Sequence, residues 1–174
     1  MKRIPLDTKD FIKPEVIILN DAEMVDGVLA SYNPILNTIF VRGSNFNEES
    51  TLAFVRVDPK LSALSRLLAC SDDHRSNLAH ELGHWYHREY TRKHLNLTDR
   101  EMGDIAEYMK MRAKDSLILA EGHSNIDYEK VGKYAELSKR DPEEVLAEAF
   151  VQAVIGRYGN DIKLLFKAAG YEEI

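Results

Sequence analysis

Asn77-Leu78-Ala79-His80-Glu81-Leu82-Gly83-His84-Trp85-Tyr86 sets two imidazoles four residues apart, with a carboxylate directly after the first. On an α-helix, positions i and i+4 lie on one face about one turn apart, so both rings reach a single ion. Neutral imidazole is a good ligand for zinc, and a glutamate beside such a site can take a proton from a metal-bound water. The flanks favour a helix. Asp72 and Asp73 offer a cap at its start, and Leu78, Ala79, Leu82, Trp85 and Tyr86 give it apolar faces. The pattern predicts a helix from about Asp73 to Lys93 that carries the H-E-x-x-H arrangement, with Glu81 as its base.

Two histidines leave such a site incomplete, because a catalytic zinc takes three protein ligands and keeps one position open. His87 is the nearest candidate, but at 1.5 Å rise per residue it lies about 10.5 Å from His80 along the axis, too far for a compact site. Position 90, where a third histidine placed after a glycine turn would fall, is Tyr90. His87 is therefore read as a surface residue or one that supports the site from outside.

Downstream, Glu143-Glu144-Val145-Leu146-Ala147-Glu148-Ala149-Phe150 offers more. Glu144 and Glu148 stand at i, i+4, while Val145, Leu146, Ala149, Phe150, Ala153 and Val154 cover the other side. A helix apolar nearly all round is a buried helix, and carboxylates within it need a strong partner. A metal with its ligating histidine supplies one: one carboxylate binds the ion while the other holds an imidazole N–H. Alternatives stay open at this level. Glu144 also stands where it would close a capping box on Asp141, and Glu148 would equally pair with a surface lysine. The residues alone do not separate the two carboxylates.

The rest of the chain sets the frame. At 174 residues it is one domain, large enough to bury a core without disulfides. Residues 1–60 look extended. Val16–Leu19, Asn37–Arg42 and Leu52–Val57 read as strands separated by turns at Asp26-Gly27 and Asn33-Pro34, which predicts a small, mostly antiparallel sheet with the Ile39 strand at an edge. Residues 61–174 read as helical. One helix is expected around Leu61–Cys70, then the H-E-x-x-H helix. Another opens on the capping box Thr98-Asp99-Arg100-Glu101 and breaks at Gly122, and a short one spans Tyr128 to Ser138. A last strong helix runs from Asp141-Pro142 to about Tyr158. Strands first and helices after make the class α+β, a small N-terminal sheet followed by a helical half.

Composition narrows the partners. A net charge of −6, with no basic cluster beyond Arg88–Lys93, argues against nucleic acid; that cluster reads as the solvated end of its helix. Cys70 is single and cannot form an internal disulfide; in its apolar run it reads as a small buried side chain. No run approaches 18 apolar residues and no signal-peptide core stands at the start, so the chain reads as cytoplasmic, with no membrane span, or as a domain delivered by something outside this sequence.

The pairing of L-A-H-E-L-G-H-W with a downstream D-P-E-E-V-L-A-E-A-F resembles the H-E-x-x-H zinc metallopeptidases (zincins) of the anthrax-lethal-factor-like group. Similar domains occur in phage head-morphogenesis proteins and Pro-Pro endopeptidases. The stretch from Ala30 to Val41 also looks like their sheet, with the Ile39 strand in the substrate-facing edge role. The resemblance touches roughly residues 28–158, though only the two helical motifs are specific. It implies that zinc is held by His80, His84 and Glu144, that Glu148 supports a ligating histidine, and that Glu81 is the catalytic base. The family also places a tyrosine seven residues before the third ligand to hydrogen-bond the tetrahedral intermediate. Position 137 is Leu137, so that spacing fails; Tyr134 is the replacement, with Tyr128 behind it.

Zinc-dependent peptide-bond hydrolysis of a peptide or protein substrate is the expected activity, the substrate adding as an extended strand along the Ile39 edge. The rival reading is a structural or interaction domain of a phage or mobile-element assembly, virion-associated or exported by a route not encoded in this chain, in which zinc staples the fold. An intact Glu81 speaks against it, since a purely structural site has no use for a base.

Overall fold

A computed structural model describes residues 10–43, 76–138, 140–154 and 159–171. The class is α+β, a three-stranded sheet followed by a helical half. The expected strand at Leu52–Val57, the helix at Leu61–Cys70, the caps Asp72 and Asp73 and the end of the last expected helix, residues 155–158, lie outside these residues.

Strands β1 (Glu15–Leu19), β2 (Ala30–Asn33) and β3 (Thr38–Arg42) form a sheet of order β1-β3-β2. β3 pairs parallel with β1, Val16 opposite Ile39, and antiparallel with β2, Tyr32 opposite Ile39. The sheet is thus mixed rather than mostly antiparallel, and the Ile39 strand is central rather than an edge. Polar Thr38 and Arg42 suggest an edge in the sequence, but neither faces solvent. Both are buried, and the Arg42 guanidinium donates to the carbonyls of Val28 (2.9 Å), Asp21 (3.0 Å) and Val25 (2.8 Å), so one side chain organises the whole β1–β2 connection. The β2–β3 turn is built by Asn33, whose Oδ1 accepts the amides of Ile35 and Leu36.

The helices are α1 (Ser76–Leu95), α2 (Ile105–His123), α3 (Tyr128–Val131), α4 (Lys133–Leu137), α5 (Pro142–Val154) and α6 (Asn160–Ala169). Before α2, Glu101 Oε2 accepts the Thr98 amide, the glutamate half of the expected capping box. The other half does not form, because the Thr98 hydroxyl also donates to Glu101 and the Glu101 amide goes to Thr98 O, and the first turn, Glu101–Asp104, winds as 3-10. Asp141 caps α5, its Oδ1 accepting the Glu143 amide. α6 is an element beyond the expected last helix. Ile162, Leu165, Phe166 and Ala169 form its buried stripe, and Gly170 at φ 75° closes it by letting the Tyr171 amide reach Phe166 O.

The core is aromatic. Tyr86 on α1, 1% exposed, packs against Phe11, Phe150 and Tyr171 with ring centroids 5.3, 5.3 and 5.0 Å away. His87 beside it is buried, not a surface residue. Its Nε2–H donates to Met109 O at 2.9 Å, and its Nδ1 accepts the Tyr171 hydroxyl. Burial lowers this imidazole from its ordinary pKa to about 4. The unfolded chain takes up the proton first as pH falls, so stability is complete above about pH 6.5 and is lost between there and pH 4, by up to roughly 3 kcal/mol. Urea midpoints at pH 7, 5.5 and 4 measure the loss, and His87→Gln is expected to flatten it.

The basic cluster after His87 is a solvated helix end only at Lys93. Arg88, Glu89 and Thr91 are buried. Glu89 accepts from Arg88, from Arg92 (3.0 Å) and from the Ile12 amide (2.8 Å), while Arg88 Nε donates to Pro34 O at 2.8 Å. Trp85 Nε1 adds a bond to Ile12 O. These contacts fasten residues 10–12 and the β2–β3 turn to α1, which fixes β2 beside the H-E-x-x-H face.

Candidate metal centre and cleft

Gly83 is the residue that allows the centre to assemble. A Cβ at this position would lie 2.9 Å from Ala147 Cα and 3.0 Å from Ala147 O, so only glycine lets α1 approach α5 this closely. That approach brings the second turn of α5 onto His80. Gly83→Ala is expected to destabilise the protein by roughly 1–2 kcal/mol, because overpacking against backbone outweighs the better helix propensity of alanine. A denaturant titration measures this, and zinc affinity should fall with it as α5 is pushed away.

His80, His84 and Glu144 offer ligand atoms within 4.8 Å of one another. His80 Nε2 lies 3.1 Å from His84 Nε2 and 3.0 Å from Glu144 Oε2, and His84 Nε2 lies 3.6 Å from Glu144 Oε1. Bonds of 2.0–2.1 Å to a tetrahedral ion separate ligands by about 3.4 Å, so these spacings suit one. On its other side, His80 Nδ1 is 2.8 Å from Oε1 of Glu148, a carboxylate with 0% exposure. Only the ring can donate there. In the neutral tautomer, Nε2 therefore turns a lone pair towards the Glu144 carboxylate and the His84 ring, a convergence that a cation would satisfy. Two imidazoles and a carboxylate fit a borderline-soft divalent ion such as zinc.

The protonation equilibria express the same crowding. Burial opposes the imidazolium of His80, but hydrogen bonds to Glu144 and Glu148 outweigh it and push His80 up to about 10. Burial likewise opposes the Glu144 carboxylate, yet the two histidines hold it well below the usual carboxylate range. Of the alternatives left open by the sequence, Glu144 faces the histidines rather than closing a capping box, and Glu148 is fully buried and meets His80.

Glu81 projects into a cleft of about 550 Å³ between α1 and β2. Burial raises its pKa, with His84, His80 and the Tyr32 backbone pulling the other way. Val28 to Tyr32 form one wall of the cleft; His80, Glu81, His84, Tyr134 and Glu144 lie on the other. Tyr134 stands 5.7 Å from His80, ring centre to ring centre. Burial and the surrounding carboxylates, Glu144 foremost, raise its pKa, so the hydroxyl keeps its proton. Leu137, at the family's spacing, is exposed. Tyr128 is held away from the cleft, its hydroxyl on Glu121 and its face beneath Arg140. Among the lining residues to which the sequence assigns no role are Asn77 and Met109. Asn77 was discoverable, since it precedes Glu81 by one turn.

Comparison with protein-family models, curated proteins and solved structures returned no match. No described helix is long and apolar enough to cross a membrane.

Proposed function

We propose that the protein is a zinc-dependent peptide hydrolase whose substrate lies extended in the cleft between β2 and α1. The observation that carries this reading is the convergence of His80, His84 and Glu144 on one point, with Glu81 on the same helix face in an open cleft. Zinc held there supplies Lewis acidity and lowers the pKa of a water to about 7. Glu81 accepts the water's proton and hands it to the departing amine. The Tyr134 hydroxyl donates to the substrate's carbonyl oxygen as it gains charge. Glu148 holds His80 in the tautomer that leaves Nε2 free to bind metal.

The supporting strand for substrate is β2, not the Ile39 strand, because β2 pairs on only one side among the described residues and forms the cleft wall. Charge narrows the substrate class. Among the described residues the cleft lining contains Asp26, Asp141 and Glu143 besides Glu81 and Glu144, and no lysine or arginine, which favours peptides with basic side chains near the cut.

Mass spectrometry of a mixed peptide library after incubation with the zinc-loaded protein tests the proposal. Cleavage that a chelator abolishes and added zinc restores, enriched near Lys and Arg, is expected. Tightly bound zinc with no cleavage of any peptide would instead support the structural-domain reading.

A further inference from the structure

We infer that Asn77 is a substrate-holding residue whose carboxamide pairs with the main chain of a peptide in the cleft, an assignment that rests on the hydrolase reading. Asn77 precedes His80 by three residues, Glu81 by four and His84 by seven, so all four project from one face of α1. All four line the cleft. Asn77 is only 8% exposed, yet its carboxamide has no hydrogen-bond partner among the described residues. Buried polar side chains are normally paired, and one left open towards a cleft is satisfied by whatever enters it.

Nothing in the helix itself explains an asparagine here. Asparagine is a poor helix former except where its side chain bonds first-turn backbone, and Asn77 makes no such bond. A carboxamide carries N–H donors and a C=O acceptor in one plane, the same pair a peptide group presents. The opposite wall is β2, which pairs on one side only among the described residues and offers its own N–H and C=O groups there. A peptide between them is held by main-chain ladder bonds on one side and by Asn77 on the other. Asn77 lies one turn before Glu81, so it meets a peptide unit beside the scissile one, not the reacting carbonyl.

The test uses Asn77→Ala and Asn77→Asp in the zinc-loaded full chain, with a quenched fluorescent peptide built on the strongest cut sequence from the library. Both variants should lose roughly tenfold in kcat/KM, mainly through KM, because the lost contact is made in ground and transition states alike. Zinc content should stay at wild-type level. Thermal midpoints should not fall, and Asn77→Asp should hold or gain, since an acidic residue suits a helix's first turn. An active wild type with both variants cleaving at wild-type efficiency overturns this inference alone. So does a loss that merely follows a fall in midpoint or zinc content, which would make Asn77 a helix-start residue. A wild type without chelator-sensitive cleavage overturns the hydrolase reading and this inference with it.

Discussion

Glu81→Gln is expected to bind zinc as the wild type does, unfold at the same temperature, and lose about 10²- to 10⁴-fold in kcat, the usual contribution of a positioned general base. The substitution keeps the side chain's size while removing its capacity to take a proton. Glu81 makes no contribution to the ligand set of His80, His84 and Glu144, so the metal should not notice the change. Burial raises the pKa of Glu81, which makes it a better base near neutrality than an exposed carboxylate. Parallel zinc analysis and single-turnover kinetics measure the separation. A Gln variant that hydrolyses peptides at the wild-type rate removes Glu81 from its role.

Glu144→Ala and Glu148→Ala should differ in kind. Glu144 faces both histidines with its two oxygens, and its removal leaves only two protein ligands; loss of stoichiometric zinc is expected, as for His84→Ala. Glu148 meets His80 at the far nitrogen, Nδ1, and is not one of the three groups that converge on the metal position. Removing it leaves His80 free to adopt the wrong tautomer and orientation, which typically lowers metal affinity by about 10- to 100-fold without abolishing binding. Competition against a chromophoric chelator resolves the two. Full zinc in Glu144→Ala with none in Glu148→Ala would exchange their roles.

The centre was legible in the sequence because helical periodicity alone places His80, Glu81 and His84 on one face, and because carboxylates in an apolar helix such as Pro142–Val154 demand a partner. Which carboxylate meets which nitrogen was not legible, since it depends on how deeply α5 seats on α1, a matter decided by Gly83 against Ala147. The sheet order was hidden for a related reason. A parallel pairing of β1 with β3 is a non-local choice that no local pattern encodes, and buried Arg42 looks like an edge residue until its three carbonyl partners are seen. Arg88, Glu89 and Arg92 likewise read as solvated charge, because the groups that pair with them come from residues 10–12 and 34. Helix α6 is different. Its apolar stripe at Ile162, Leu165, Phe166 and Ala169 was present in the sequence and went unread.

The proposed roles of Glu81 and Tyr134 depend on an ion held by His80, His84 and Glu144, and X-ray absorption at the zinc edge of the zinc-loaded protein tests that centre directly. Two imidazoles with oxygen ligands at about 2.0–2.1 Å, and no sulfur, are expected. Sulfur at about 2.3 Å, or a shell without imidazole, would contradict it.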